Sequence, residues 1–236
     1  VSNVATWNPL KPMTGSFSDG NLTVNPGADA MAIGTHAFDY TDSSGFYMEM
    51  VMTGHTAGYF GLIHTDQESV GLDTYTPGTE HHYSFYSGTG TDQINDGGGT
   101  ESNINAGVTW GINDVVQIAC KNSDLWFGIN NTWVNNGTGA GNPSTGANPC
   151  FTSMGGVSTE PVIPYVMAVS GVSTTNFTLH DGSRHPYVYA PPTGFKTLTS
   201  DNLPSNTYES SKYFQNKIYT GTGSTQSFTW DGLSDM

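Results

Sequence analysis

The sequence predicts an all-β chain of short strands joined by tight turns, the pattern of a sandwich. Three observations carry this. Apolar residues recur at every second position in several segments, and nowhere at a sustained helical spacing. The composition suits short strands joined by tight turns: 30 of the 236 residues are Gly, Thr, Ser and Asn are abundant, and only 11% are charged. Asn130-Asn131 separates two aromatic segments, and Asn accepts the positive φ of a two-residue hairpin turn better than most residues. A chain of this length holds one large sandwich, or a sandwich plus a fragment.

The elements follow in chain order. Phe46, Met48, Met50 and Met52 would face one side of a strand, with Tyr47, Glu49 and Val51 on the other. Gly71 to His82 is a long loop carrying Tyr75, Pro77, His81 and His82, and Asp92 to Asn105 is a second loop around Gly97-Gly98-Gly99. Leu125 to Ile129 is an apolar run containing Trp126, and it returns through the Asn-Asn turn to Thr132-Trp133. Asn135 to Pro149 alternates Gly, Asn, Thr and Pro and reads as a loop. Val162 to Val169 reads as a strand buried on both faces, with Pro164 tolerated at its start or edge.

After Leu198 the chain changes character. Turn residues fill Thr199 to Tyr213, and strand-like alternation resumes from Lys217 to Thr229. A boundary is therefore expected near residue 199, with a sandwich over 1–198 and, over 199–236, a connector and the first strand of a following domain. That strand should pack on another domain or subunit through Ile218, Tyr219 and Phe228. Val1 is not an initiator Met and Ser227 to Leu233 reads as a strand entering a turn, so a longer polypeptide is expected.

Charge narrows the partners. Six Lys plus Arg stand against 20 Asp plus Glu, a formal net charge of −14. So few cations cannot form a stripe that tracks phosphates, so neither nucleic acid nor an anionic membrane surface is an expected partner. The apolar runs are too short to span a bilayer, and no charged segment followed by an apolar stretch opens the chain. Cys120 and Cys150 are either two small buried side chains or one disulfide. Neither has a Cys-x-x-Cys neighbour that would suggest zinc.

Candidate chemistry is sparse. No Gly-x-Ser-x-Gly sits between a strand and a helix. A glycan-cleaving enzyme would need two facing carboxylates. Asp66 with Glu68, or Glu80 with Asp92, could be offered, but nothing in their spacing distinguishes them from solvated loop acids. His180, Asp181 and His185 share a short loop, His64 and Asp66 share one strand face, and Asp92, Asn95 and Asp96 offer oxygens to calcium. Loop His beside Asp is more often a hydrogen-bonded surface group. The expectation is no catalytic residue, no metal and no cofactor. Tyr75, Tyr83, Tyr187 and Tyr189 lie in or beside loops, where rings stack on sugars, anchor protein partners or cap the ends of a sandwich.

Several segments together resemble SPRY-type β-sandwich domains. Asn176-Phe177 opens a strand that leads into the aromatic turn Tyr187-Val188-Tyr189, and the exit reads Pro191-Pro192-Thr193-Gly194-Phe195-Lys196-Thr197-Leu198. Upstream, Thr6 to Leu10 with Asp19 to Leu22, Gly45 to Met50, Tyr59 to Ile63, Asn113 to Ala119 and Leu125 to Trp133 are similar to successive strands of that family. The resemblance covers roughly residues 4 to 198. Lys121 departs from it where Asp is common, and Asn131 where Gly is usual. Its flavour is that of SPRY-like segments in large bacteriophage structural proteins. The resemblance implies a concanavalin-like, jelly-roll sandwich of two antiparallel sheets that binds partners rather than catalyses. It implies a virion protein assembled in the host cytoplasm: a tail fibre, tail-tip or capsid-decorating fibre, and a homo-oligomer. Its partners would be other virion proteins and a host-surface glycan or protein. The alternatives are a purely architectural spacer and a glycan-cleaving enzyme. Since such domains present partners with their loops, Tyr75, His81 and His82 are the expected contacts, against the alternative of a solvated, variable loop.

Overall fold

The computed structural model describes residues 3–10, 15–28, 30–54, 57–67, 82–87, 93–96, 100–102, 110–135, 137–154, 158–168, 175–203 and 220–227. Fourteen strands are placed among them. In chain order they are β1 (Ser16–Ser18), β2 (Thr23–Asn25), β3 (Met31–Ile33), β4 (Phe46–Gly54), β5 (Gly58–His64), β6 (His82–Ser87) and β7 (Gln93–Asp96). Then come β8 (Thr100–Ser102), β9 (Val115–Lys121), β10 (Asp124–Ile129), β11 (Thr132–Trp133), β12 (Val162–Ala168), β13 (Asn176–His180) and β14 (Lys196–Thr197). No α-helix occurs among the described residues.

The strands form two sheets. The larger runs β1-β2-β13-β4-β9-β10-β11, and the smaller runs β3-β12-β5-β6-β7-β8. All pairings are antiparallel except one: β14 lies parallel to the start of β4, at Phe46 and Tyr47. It takes the side of β4 that β13 has left, since β13 pairs only from Glu49 to Gly54. The all-β sandwich expected from the sequence is thus observed.

Alternation places the core. Phe46, Met48, Met50 and Met52 point between the sheets, with Val116, Ile118, Leu125, Phe127 and Phe177 from neighbouring strands. Phe60 of β5 is edge-on to Phe85, Trp110 and Phe127, with centroids 5.3 to 5.7 Å apart. Trp126 is also buried, but on the outer face of β10, with Tyr47 and Ala119.

The hairpin between β10 and β11 turns on Asn130 and Asn131, at φ 49° and 64°. Both are left-handed, which is the two-residue turn that twists with its strands. Pro164 is not at an edge: β12 lies inside the smaller sheet and all its residues are buried. It is accommodated because Val162 exchanges hydrogen bonds with Phe38 on one side, and Pro164, two residues on, faces that same side beyond the end of β3. There only its carbonyl is used, accepting from the Gly34 N–H at 2.7 Å.

The cysteines are free, Cys120 buried and Cys150 half-buried. Burial pushes both thiols up, that of Cys150 to about 12.

The chain divides into two compact units, Val1–Leu203 and Pro204–Met236. In the first, Val4 bridges Thr199, Leu198 is buried and Leu203 packs on the core. In the second, a turn around Gly223 is closed by the Gln226 Nε2, which donates to the Thr220 carbonyl at 3.1 Å and to Thr222 Oγ1 at 2.8 Å. Ile218, Tyr219 and Phe228 lie outside the described residues.

Candidate functional site

Register aligns a polar row across the outer face of the larger sheet. His180 stands opposite Glu49, Glu49 opposite Gln117, and Gln117 opposite Gly128. Glu49 and Gln117 are fully buried. A buried carboxylate is costly unless its oxygens are hydrogen-bonded, and those of Glu49 are. Tyr47 O–H donates to Oε2 at 2.7 Å, the Tyr189 N–H donates to the same oxygen at 3.3 Å, and the Val188 N–H donates to Oε1. Gln117 extends the row: its Nε2 donates to the Tyr47 hydroxyl at 2.8 Å, and its Oε1 accepts from the Asn131 N–H at 2.6 Å.

This row anchors residues 181–195 as a strap across the sheet. Asp181 Oδ1 accepts from the N–H groups of Ser183 and His185 at 2.9 and 3.0 Å, which bends the chain back on itself. Gly182 follows at φ 77°, where a Cβ would stand 2.7 Å from the Tyr187 ring. His180 Nδ1 donates to the Pro186 carbonyl at 2.7 Å, since that oxygen can only accept, and its ring stacks on His185 at 5.5 Å. His185 and Arg184 both reach the Asp19 carboxylate. The His185 hydrogen bond, helped by Arg184, holds the Asp19 carboxyl below its ordinary value. Tyr187 leans on Tyr47 with centroids 5.9 Å apart, and burial, with Glu49 adding to it, pushes its phenol up to about 12. Val188 is left 52% exposed on the strap.

Farther along the same face, Lys121 and Asp124 stand opposite each other at the β9–β10 hairpin. With Trp126 and the turn Pro143–Gly146 they border a cleft of about 200 Å³.

Of the expected contacts, Tyr75 and His81 lie outside the described residues. His82 does not stand on a loop: it opens β6, is 1% exposed, and faces the Tyr165 ring edge-on at 5.7 Å. The physical reason is strand periodicity, because Tyr83 and Phe85 take the inner face and turn His82 and Ser84 to the other. His180, Asp181 and His185 do come together, but their polar atoms serve Pro186, two backbone amides and Asp19. His64 is buried with Nδ1 at the Glu160 carbonyl, 2.7 Å away, whereas Asp66 is exposed and accepts from Ser158 Oγ at 3.0 Å. Glu68, Glu80 and Asp92 lie outside the described residues. Glu49 escaped sequence reasoning. Its one signal was a lone acid in an otherwise apolar strand.

No family model matches the chain, and no curated protein matches it in sequence. Solved structures match it in fold. The SPRY domain of human HERC1 superposes with a TM-score of 0.52 at 11% identity, covering 75% of this chain and 98% of that one. The fold is SPRY-like. The PSpry domain of TRIM65 gives a TM-score of 0.48 at 11% identity, covering 75% of this chain and 92% of that one. Neither likeness speaks to a bacteriophage setting. In this SPRY-like sandwich the strap follows the Asn176-Phe177 strand and holds the aromatic turn and the start of the Pro-Pro exit, which entered the resemblance.

Proposed function

We propose that the chain is a binding and assembly module and not an enzyme, and that it serves as a structural or adhesion part of a bacteriophage virion. The position is a tail fibre, tail tip or capsid-decorating fibre, and the partner is a host-surface component or a neighbouring virion protein. One observation carries the binding reading. The fully buried carboxylate, Glu49, has both oxygens taken up by hydrogen bonds from Tyr47 and from the strap amides of Val188 and Tyr189. It is used to fix a surface segment, and it has no open side from which to act on a substrate. A segment fixed in this way presents side chains at little ordering cost, which favours recognition. The virion setting rests on the sequence resemblance. Immunogold labelling of purified virions from the genome that encodes the chain tests it. Discrete labelling of a fibre, tail tip or capsid surface is expected, and unlabelled particles would remove the virion setting.

A further inference from the structure

We infer that the cleft beside the β9–β10 hairpin is a binding site for a single neutral saccharide unit. This deepens the binding reading above and rests on it for its biological role.

Lys121 and Asp124 are cross-strand partners on one face, yet among the described residues no ion pair joins them to each other or to another charged side chain. The Lys121 ammonium lies 5.5 Å from the centre of the Phe195 ring. Asp124 is half-buried, and burial pushes its carboxyl up, offset in part by a backbone hydrogen bond at Ser153. A cation and a carboxylate thus face one cleft with capacity left over.

The walls are preformed. Asn122 and Ser123 sit at φ 53° and 67°, and their N–H groups donate to the Asp42 and Tyr40 carbonyls. Across the cleft, Asn142 and Ala147 exchange backbone hydrogen bonds at 2.9 and 3.0 Å. Trp126 Nε1 ties the floor to that turn through the Ala147 carbonyl at 2.9 Å, and the Thr193 N–H ties the strap to it through Ser144 Oγ at 3.1 Å.

The chemistry then selects the ligand. Lys121 and the Ser144 hydroxyl donate, Asp124 accepts, Thr145 Oγ1 accepts because its proton goes to the Asn142 carbonyl, and the exposed Asn122 amide does both. Vicinal hydroxyls match such a mixture, since each donates and accepts. A ligand of single charge would be opposed by one of the two charged residues. A zwitterion would satisfy Lys121 and Asp124 but leave Asn122, Ser144 and Thr145 idle. About 200 Å³ lies below the roughly 300–1,000 Å³ of sites for drug-sized ligands, so one ring fits and a buried oligosaccharide does not.

The test is NMR titration of the ¹⁵N-labelled full chain with glucose, galactose, rhamnose and N-acetylglucosamine, and separately with glycine. Saturable shifts of the Trp126 indole N–H and the Asn122 and Ser144 amides are expected with at least one sugar. Asp124→Asn and Lys121→Ala should each weaken that sugar roughly tenfold or more, with the thermal midpoint nearly unchanged. Three outcomes overturn the inference: no saturable shift with any of the four sugars, shifts with glycine alone, or unchanged binding by both folded variants. None of these bears on whether the strap meets a partner, which is read without sugars.

Discussion

Tyr47 and Glu49, two residues apart on the outer face of β4, are both fully buried and joined by a 2.7 Å hydrogen bond from phenol to carboxylate. That bond orients the carboxylate toward the amides of Val188 and Tyr189, 139 and 140 residues later in the chain. Burying the charge is tolerable because several donors meet it together. The result is a stiff connection from the middle of a sheet to an exposed segment.

Glu49→Ala should cost about 3 kcal/mol, because it leaves a buried phenol and two strap amides without their acceptor. Urea denaturation should show a lower midpoint with an unchanged slope. Hydrogen exchange at Val188 and Tyr189 should rise toward that of an open loop. Retained protection at both amides would show that the strap is held by something other than Glu49.

Trp126→Ala should destabilise the chain by roughly 3–5 kcal/mol. The indole is 2% exposed, stands edge-on to Phe195 at 6.2 Å and donates to the Ala147 carbonyl at 2.9 Å. A loss below about 1 kcal/mol in chemical denaturation would mean that this outer cluster contributes little.

Stability should fall as pH rises above about 8.5. Cys120, Cys150, Tyr47 and Tyr187 all have acid groups raised by burial, those of Cys150 and Tyr187 to about 12. In the unfolded chain Cys loses its proton near 8.5 and Tyr near 10. Between those values and the folded ones the unfolded state binds fewer protons, so the slope of stability with pH is negative. Thermal midpoints across pH 7 to 11 measure it, and both thiols should resist Ellman's reagent at neutral pH until the chain unfolds. A flat midpoint, or fast reaction of both thiols in the native chain, would contradict the burial.

Asn131→Val should destabilise the β10–β11 hairpin by about 1–2 kcal/mol, because a β-branched residue is strained at φ 64°. Asn131→Gly should be tolerated, since Gly adopts that conformation freely. Thermal denaturation of the pair decides it, and equal losses would show that the turn conformation is not what constrains the site.

The parts of the fold that were legible are those written in local periodicity. Phe46, Met48, Met50 and Met52 announce their face by alternation, and Asn130-Asn131 announces a turn by residue type. Glu49 was not legible as an anchor. An acid among outward-facing positions normally meets water, and the amides that bury it come from the far end of the chain. His82 was misplaced for a related reason. Its neighbour His81 and the turn residues before it read as loop, whereas the alternation of Tyr83 and Phe85 starts the strand one residue earlier. Pro164 reads as a sign of a strand's start or edge because the sequence does not reveal that β3 ends where the missing N–H would have been needed.

Hydroxyl-radical footprinting of Val188 and Tyr189 in three states, the free chain, particles of the proposed virion and those particles engaged with host envelope, measures the central claim most directly. The account predicts strong labelling of Val188 in the free chain and clear protection in the particle or on engagement, with Glu49→Ala abolishing the difference. Equal labelling of both residues in all three states would contradict a partner-binding role for the strap.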